Sequence, residues 1–439
     1  MIEETPKNAV EVLSFMPELS VVDMWIVVTG AATNVACALV GCFLVLRRMS
    51  LMGDAISHAV LPGLVIAFLF SGSLNIVPLF LGAAAMGLLT TFLTQSLHQY
   101  ARVPSDASMG VVFTSLFALG VVLVKKYVSG LHFDVACVYA GALEYVPFAE
   151  PIFGLPRPLF TTLVVLVVNL AVLVLLWKEL KVSSFDENLA STMGFSATAM
   201  HYLLMMLVAM TTVASFEAVG SILVVAMLIV PAATAHLLCD RLGVMVFLSA
   251  VVGVAAAVLG YAAGSWLDTN YAGMMTVAVG VLYGLAVLFS PRYGLINALV
   301  RNVRMSLKVM RDDLLAMLYR VEELAREKPL SPANARRAVG GGWLAQWGLA
   351  GLVRSGQIAS TDDRLQLTDT GREVARSLVR SHRLWETYLV EHLGMPLDHV
   401  HEPAHRVEHF IDEQLRRELE AKVDAAAGDP HGREIPGGE

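Results

Sequence analysis

The chain has 439 residues, of which 56% are hydrophobic and 16% are charged, and its mean hydropathy is +0.64. This composition excludes a soluble globular protein, because soluble domains carry about 25% charged residues, and it indicates an integral membrane protein. The formal net charge of −7 gives no electrostatic argument for a nucleic-acid partner.

Basic residues are concentrated at one end of the chain. Of the 31 lysines and arginines, 21 follow Ser290, although that part is only about a third of the sequence. This asymmetry indicates two regions of different class.

The four cysteines show no C-x-x-C spacing and are expected to be small core residues. The first twenty residues contain no apolar segment of the signal-peptide type, so we expect insertion to depend on the first span.

Nine apolar runs are long enough to cross a bilayer. They lie at roughly 24–46, 52–71, 77–98, 108–126, 159–177, 199–216, 218–236, 243–263 and 270–289. The two runs around Glu217 could be two short helices or one long helix with a re-entrant piece.

Basic residues near the span ends predict an outside N-terminus and an inside C-terminus. Lys125 and Lys126 violate this scheme, so we expect the 127–157 connection to be more than a simple outer loop.

Two ionisable residues stand near the start of the second span. Asp54 and His58 are four residues apart, so they lie on one face of a helix. Ionisable groups inside a membrane are costly and mark functional sites, and a carboxylate with an imidazole suits Mn²⁺, Zn²⁺ or Fe²⁺. Few other polar residues are expected in the spans, which favours a metal site. The alternative is structural: His58 donates to a backbone carbonyl and Asp54 caps a helix.

Two connections are expected on the cytoplasmic side. Residues 178–199 are polar and compatible with a helix, which Ser183 or Ser184 could cap. Residues 231–241 predict a short, alanine-rich helix that starts at Pro231 and ends in charge. Such a helix could occupy a groove of a partner protein; the alternative is a simple helical turn between two spans.

The chain changes character after Ser290. The predicted elements are a basic linker or helix at 292–310, helices at 311–328, from Ser331 and at 342–354, a two-stranded unit at 357–368, and a helix at about 369–393. Helix, helix, helix, hairpin and helix is the order of a winged helix-turn-helix.

Histidines are concentrated in this last region, where 7 of the 12 lie beyond Ser381. His382 and Glu386 are four residues apart on one predicted helix. A second helix carries its ligand-type side chains on one stripe, at His401, His405, Glu408 and His409. This density predicts metal binding, since imidazole and carboxylate are common metal ligands. An ordinary solvent-exposed face is the alternative.

Residues 24–290 resemble the integral-membrane permeases of the manganese, zinc and iron chelate branch of ATP-binding-cassette importers. The resemblance is carried by Leu46–Gly63 (LRRMSLMGDAISHAVLPG), by Ser184-Phe185-Asp186 and by the segment from Val219-Gly220 to Ala235. It implies that Asp54 and His58 belong to the translocation path of the metal. It also implies that the 231–241 segment is the coupling helix that contacts the ATPase, with candidate residues Pro231, Ala232, Ala233, Thr234, Ala235 and Arg241.

The same resemblance implies partners. The sequence contains no G-x-x-x-x-G-K-[ST] phosphate loop, so ATP hydrolysis is expected on a separate cytoplasmic ATP-binding subunit. An extracytoplasmic metal-binding protein would deliver the ion, and a second permease subunit, identical or related, would complete the pathway. The chain itself is expected not to be an enzyme and to hold no prosthetic group. The divalent metal is its expected substrate and a candidate regulator.

Residues 311–430 resemble the metal-dependent repressors of the diphtheria-toxin type. The carrying stretches are Leu367–Arg372, His382–Glu386 and Val400–His409. The resemblance implies one metal site formed by His382, Glu386 and His401. It implies a second site formed by His405, Glu408 and His409, with Asp313 as a further ligand from the first helix. His405 replaces the Cys or Glu that is usual at its position, which could shift metal preference.

The DNA-reading part departs from that family. The would-be recognition helix, 342–354, has two tryptophans and three glycines, and it offers only Gln346 and Arg354 as polar contacts. Contacts to bases and phosphates need Arg, Lys, Asn or Gln. The sequence therefore argues against DNA binding.

The predicted fold is an all-α polytopic membrane domain of about eight or nine transmembrane helices, followed by a cytoplasmic winged helix-turn-helix and a helical metal-binding and dimerisation region. The predicted division is an N-terminal segment at 1–23, a permease domain at 24–290, a linker at 291–310, a winged-helix-like domain at 311–380, a metal-binding region at 381–430 and a tail at 431–439.

The predicted function is that of a permease subunit in the bacterial inner membrane. It would import a divalent transition metal, Mn²⁺ first and then Zn²⁺ or Fe²⁺, and its C-terminal domain would sense metal and regulate transport. For the C-terminal domain, the alternative is a scaffolding or dimerisation role with vestigial ligands. For the whole chain, the first alternative is a membrane-anchored metal-dependent transcription regulator, and the second is a metal/proton secondary transporter that needs no ATPase. The few intramembrane carboxylates argue against the proton relay that the second alternative requires.

Overall fold

The computed structural model describes residues 20–72, 76–127, 143–324, 330–361, 364–423 and 428–437. The chain divides into two compact units, Met1–Asn297 and Ala298–Glu439, called here the membrane unit and the tail unit.

The membrane unit is built mainly from apolar helices. Its helices are α1 (Val21–Leu46), α2 (Ser50–Ala59), α3 (Leu61–Ser71), α4 (Ile76–Tyr100), α5 (Ser105–Tyr127), α6 (Arg157–Leu175), the polar α7 (Trp177–Phe185) and α8 (Glu187–Thr192), α9 (Ala197–Val219), α10 (Ser221–Leu238), α11 (Leu242–Leu267) and α12 (Tyr271–Phe289). Among the described residues, eight stretches are long and apolar enough to cross a membrane, and α2 with α3 forms one of them. The apolar part of α10, Leu223–Leu238, is shorter. The predicted multi-pass helical architecture is confirmed, as expected for a chain that must satisfy its backbone hydrogen bonds internally in lipid.

Helix α1 forms much of the core of the membrane unit. It packs against α6, α9, α10 and α11, and every residue from Ala36 to Leu44 is buried. Gly41 lies against the backbone of Leu228 in α10, where an added Cβ would overlap the carbonyl oxygen. Small residues let membrane helices approach closely, so Gly41 sets the spacing of α1 and α10.

The region around Glu217 contains two helices. Helices α9 and α10 meet at Gly220, whose φ is 76°, so the two-helix interpretation is confirmed. Helix α10 continues through Pro231 to Leu238, so the predicted separate helix starting at Pro231 is wrong. A proline inside a membrane helix removes one backbone hydrogen bond, which nearby groups can compensate.

Part of the 127–157 connection lies outside the described residues, at 128–142. The described part forms a 3-10 helix at Leu143–Phe148 and two short antiparallel strands, β1 (Pro151–Ile152) and β2 (Leu155–Pro156). The Tyr271 N–H, at the start of α12, donates to Glu144 Oε1 at 3.1 Å. This bond attaches the segment to α12.

The tail unit contains the predicted order of helix, helix, helix, hairpin and helix. Its elements are α13 (Leu295–Glu323), α14 (Pro332–Ala338), α15 (Gly342–Arg354), β3 (Ile358–Thr361), β4 (Arg364–Leu367), α16 (Asp369–Leu393), α17 (His401–Val407) and α18 (Glu413–Glu420), with 3-10 turns at Leu397–His399 and Glu408–Phe410. Strands β3 and β4 are antiparallel, with Ile358 opposite Leu367. Helix α13 starts at Leu295, before the boundary between the two units, so most of the predicted linker is helical.

Helix α16 is the scaffold of the tail unit. Thr368 caps its first turn by accepting from the Gly371 N–H, and Gly394 ends it in the left-handed conformation. Ala375 packs in a core with residues of α13, α14, α15 and the hairpin. Leu384 packs in a second core with α18 and the C-terminal segment. Helix α16 therefore joins both cores and fixes the side chains between them.

Candidate metal sites

The predicted pair in the membrane unit lies on α2. Asp54 Oδ1 and His58 Nε2 are 3.5 Å apart, and both side chains are partly exposed. The imidazole lies beside two aromatic rings of α5, with centroid distances of 6.1 Å to Phe113 and 5.6 Å to Phe117. Within the described part of the chain, no third His, Cys, Asp or Glu joins this pair to form a larger ligand group.

The first predicted ligand set in the tail is brought together by α16 and α17, and we call it site 1. His382 Nε2 lies 3.0 Å from Glu386 Oε1, one turn further along α16. His401, at the start of α17, places Nδ1 against the same Glu386 oxygen. His382 and Glu386 are almost completely buried, whereas the His401 side chain is 62% exposed.

The second ligand set, site 2, combines Asp313 of α13 with residues of α17 and the following turn. His405 Nδ1 lies 2.8 Å from Glu408 Oε1, and His409 Nε2 lies 3.4 Å from Asp313 Oδ1. One ligand atom from each of Asp313, His405, Glu408 and His409 lies within 4.8 Å of the others. The same criterion is met by His382, Glu386 and His401 of site 1.

Glu408 connects the two sites. Its Oε1 faces His405 of site 2, while its Oε2 lies 2.6 Å from His382 Nδ1 of site 1. Glu408 is buried, so the carboxylate is held between the two imidazoles.

The donor atoms of both sites suit a divalent cation. Five of them are buried and lie in close contact with one another: Asp313 Oδ1, His382 Nδ1, Glu386 Oε1, Glu408 Oε2 and His409 Nε2. Buried carboxylates are costly unless they are paired with a cation. Because these atoms converge and combine carboxylate with imidazole, a bound Mn²⁺, Zn²⁺ or Fe²⁺ would satisfy them.

Charge within the tail sites changes their proton affinity. Burial by itself would lower the pKa of the His409 imidazole, but hydrogen bonds to Asp312 and Asp313 and the charge of Glu408 raise it to about 9. Burial would raise the pKa of the Glu408 carboxyl, but the hydrogen bond and charge of His382 hold it below its ordinary value. The metal-free sites therefore hold protons that an arriving cation must displace.

Residues 22–290 match the family model described as ABC 3 transport family. The chain belongs to the ABC 3 transport family. This membership confirms the resemblance of the N-terminal region. Residues 368–437 match a second family model, described as iron dependent repressor, metal binding and dimerisation domain. That match includes every predicted tail ligand except Asp313.

Relatives in the ABC 3 transport family resemble about two thirds of this chain. The manganese transport system membrane protein MntD of Bacillus subtilis is 46% identical over 287 residues, which cover 64% of this chain and 97% of MntD. The zinc transport system membrane protein TroD of Treponema pallidum is 37% identical over 292 residues, which cover 65% of this chain and 80% of TroD. The solved structure of PsaBC from Streptococcus pneumoniae in complex with Fab matches with a TM-score of 0.56 and 32% identity, covering 64% of this chain and 97% of that chain.

The candidate ATPase-coupling residues of this ABC 3 transport family member are mostly buried. Pro231, Ala232, Thr234 and Ala235 are buried, Ala233 is partly buried and Arg241 is exposed. Apolar side chains are exposed in the α7–α8 connection, at Phe185 (61%) at the end of α7, at Leu189 (49%) on α8 and at Met193 (55%) just after α8. Sequence reasoning described this connection as polar and missed these side chains.

The would-be recognition helix α15 presents an aromatic surface. Trp343 and Trp347 are exposed, and their rings meet edge to face at 5.7 Å. Gln346 and Arg354 are the exposed polar residues of this helix. The aromatic surface fits the sequence argument against base reading.

Sequence reasoning also missed polar groups inside the spans and a partner of site 2. Uncharged side chains tie helices of the membrane unit together: Asn169 donates to Thr211 Oγ1 at 2.7 Å, and Asn34 donates to the Gly253 carbonyl at 3.0 Å. In the tail unit, Asp312 Oδ2 lies 3.3 Å from His409 Nδ1. Asp312 therefore contacts Nδ1 of the His409 ring, whereas Asp313 faces Nε2 of the same ring.

Proposed function

We propose that this chain is the permease subunit of an importer for a divalent transition metal, Mn²⁺ first and then Zn²⁺ or Fe²⁺. The observation that carries the proposal is the Asp54–His58 pair, 3.5 Å apart on a helix of an ABC 3 transport family membrane unit. Two protein ligands leave coordination positions open, which suits an ion in transit better than a closed structural site. Manganese stands first because MntD, a manganese transport protein by its name, is 46% identical to this chain, against 37% for the zinc transport protein TroD.

The importer requires three partners in this proposal. A separate cytoplasmic ATP-binding subunit hydrolyses ATP, an extracytoplasmic metal-binding protein delivers the ion, and a second permease subunit completes the pathway. For the ATPase contact we favour the α7–α8 connection, because its exposed apolar side chains, Phe185, Leu189 and Met193, can contact a partner. Of the 231–241 segment, the buried residues before His236 offer little contact surface, and Arg241 stays a candidate.

Uptake in cells that lack native importers tests the transport proposal. We expect Asp54→Ala and His58→Ala each to reduce manganese uptake by about tenfold or more, because each removes one of the two side-chain ligands. Asp106→Ala is the matched control, since Asp106 is an exposed carboxylate of another span. Retained uptake in both ligand variants would remove the pair from the pathway. Uptake into vesicles driven by a proton gradient without nucleotide would favour the secondary-transporter alternative.

We also propose that the tail unit senses cytoplasmic metal and regulates transport. The support is the convergence of seven ligand side chains into two sites that include five buried donor atoms. Asp313 contributes from α13, the helix that begins six residues after the end of α12. Metal at site 2 would therefore act on the element that links the tail unit to the last span.

Reconstitution with the ATPase tests the regulatory role. We expect saturating Mn²⁺ on the cytoplasmic side to change the ATPase and transport rates of the wild-type complex, and the triple variant His382→Ala/His405→Ala/His409→Ala to remove this response. The control is His392→Ala/His399→Ala, which changes two histidines outside both sites. If the triple variant and wild type respond alike, the tail does not regulate through these ligands.

The winged-helix order favours a second candidate, a membrane-anchored transcription regulator. It predicts specific operator binding by the solubilised full chain in a gel-shift assay with Mn²⁺. We expect none, because Trp343 and Trp347 occupy the exposed surface of α15.

A further inference from the structure

His401 is the candidate ligand of site 1 whose side chain is exposed, so surrounding core residues do not hold it in place. Its side chain is 62% exposed, whereas those of His382 and Glu386 are 8% and 2% exposed. The His431 ring lies on the His401 ring at a centroid distance of 4.4 Å and an interplanar angle of 13°. The His382 ring lies further away, at a centroid distance of 6.2 Å and an interplanar angle of 18°. His431 is therefore the nearer of the two imidazoles that stack with His401.

The segment that carries His431 is itself fixed. The Asp429 carboxylate accepts from the backbone N–H groups of His431 and Arg433, at 3.0 and 2.7 Å. Gly428 and Gly432 adopt positive φ values of 85° and 75°, which favour glycine. The turn is thus a compact structure built around one buried side chain.

Arg383 attaches this turn to α16, next to the site 1 ligand His382. The Arg383 side chain is buried, lies 3.5 Å from Asp429 Oδ2 and donates to the Glu434 carbonyl at 2.5 Å. Ile435 is buried in the core that contains Leu384. These contacts fix the backbone of the turn, and hence the position of His431, relative to site 1.

We propose that His431 is a positioning residue for site 1, which holds the His401 imidazole in the orientation that ligates metal. The proposal rests on metal binding by the tail unit. Among the described residues, His431 does not belong to the group whose ligand atoms lie within 4.8 Å of one another, so its contribution is ring stacking and not ligation. Without the stack, the exposed His401 side chain samples other rotamers, and ordering it costs part of the binding free energy.

Substitutions of His431 separate stacking from ligation. The experiment uses the full chain in nanodiscs with Asp54→Ala/His58→Ala as background, so that Co²⁺ titrations report on the tail sites. We expect His431→Ala to weaken one of the two binding events by about tenfold. His431→Phe keeps an aromatic ring and should bind within about twofold of the background protein, and its Co²⁺ absorption spectrum at saturation should be unchanged, as expected when the ligand set is intact. His399→Ala, which changes an exposed histidine that lies beside Asp398 and outside both sites, is the control.

Two outcomes would overturn the inference. His431→Ala could bind Co²⁺ as tightly as the background, or His431→Phe could bind as weakly as His431→Ala with an altered absorption spectrum, which would make His431 a ligand. Thermal unfolding of the metal-free variants checks that the tail unit is intact. Absence of Co²⁺ binding in the background protein itself would instead refute metal sensing, so the two failures are distinguishable.

Discussion

At the residue scale, Glu408 makes the two tail sites dependent on each other. One carboxylate oxygen faces His405 at 2.8 Å and the other faces His382 at 2.6 Å. A cation at one site would polarise the shared carboxylate and change the charge available to the other. We therefore expect the two binding events to be thermodynamically coupled, with site 2 further controlled by protons on His409.

Metal affinity of site 2 is expected to rise with pH. The pKa of His409 is raised to about 9 in the metal-free site, so below that pH a cation must displace one proton from the imidazole. Displacing one proton raises apparent affinity by about tenfold per pH unit until the group is deprotonated. Metal titrations of the Asp54→Ala/His58→Ala protein at increasing pH, starting from pH 7, should therefore show a metal affinity that rises with pH. The affinity should become constant near the pKa of His409.

Asp312→Asn is the matched variant for this pH dependence. It removes the carboxylate that faces His409 Nδ1 at 3.3 Å, so the pKa should fall and the affinity should level off at a lower pH. An affinity that does not change with pH in either protein would contradict the role of His409 as a ligand.

At the element scale, one arginine joins the α7 segment to the helix that carries Asp54. Arg47 Nε donates to Ser184 Oγ at 3.1 Å, and Nη2 donates to Ser183 Oγ at 2.9 Å. Arg47 directly follows α1, and the tight turn at Arg48, with φ of 57°, leads into α2. A displacement of α7 by a docked ATPase would reach α2 through this contact.

Arg47→Gln is therefore expected to uncouple ATP hydrolysis from transport. Loss of a partly buried, charged hydrogen-bond group should reduce metal transported per ATP by about tenfold while ATP hydrolysis continues. The measurement is parallel ATPase and uptake assays on the reconstituted complex. Arg48→Gln, at the exposed neighbouring position, is the control. A parallel loss of both activities in Arg47→Gln would indicate a structural role only.

Helix spacing in the membrane unit gives a stability prediction. Gly41→Ala should destabilise the protein by about 1–3 kcal/mol or more, because the new methyl group overlaps the Leu228 backbone and must force α1 and α10 apart. Gly284→Ala in α12 should be close to neutral, since no atom of the described residues beyond its own helix lies within 4 Å of the added Cβ. Thermal unfolding in detergent compares the two. If the Gly41→Ala and Gly284→Ala variants unfold at the same temperature, α1 and α10 can move apart at little cost in folding free energy.

At the scale of the whole molecule, a permease unit is joined to a metal-binding unit. MntD aligns over 97% of its own length with 64% of this chain and is 46% identical there, so the tail unit lies largely outside the part that the two proteins share. If the tail unit senses metal as proposed, the membrane unit should transport metal without it.

A chain ending at Asn297 should keep uptake within about twofold of wild type but lose its response to cytoplasmic Mn²⁺, because its tail ligands are absent. The measurement is uptake at several cytoplasmic Mn²⁺ concentrations, normalised to the amount of protein in the membrane. The full-length triple histidine variant controls for folding of the truncated chain, since it should give the same result. If the truncated chain loses uptake but the triple histidine variant keeps it, the tail unit has a structural role.

The sequence by itself determined the elements that local rules control. Apolar runs of spanning length must be helical in lipid, and i, i+4 spacing places Asp54 with His58 and His382 with Glu386 on common helix faces. The ligand types in the tail followed from the residues and from the family resemblance. Pro231 was misread because a proline starts many helices in soluble proteins, whereas inside a membrane its effect depends on the surrounding helices.

Only the tertiary structure decided which distant residues meet. Asp312 reaches His409 across almost a hundred positions, Glu408 contacts both sites, His431 stacks on His401, and Arg47 donates to Ser183 and Ser184. Periodicity fixes the face of a helix on which a residue lies, but not the element that this face packs against. That choice depends on packing and on the pairing of buried polar groups over the whole chain.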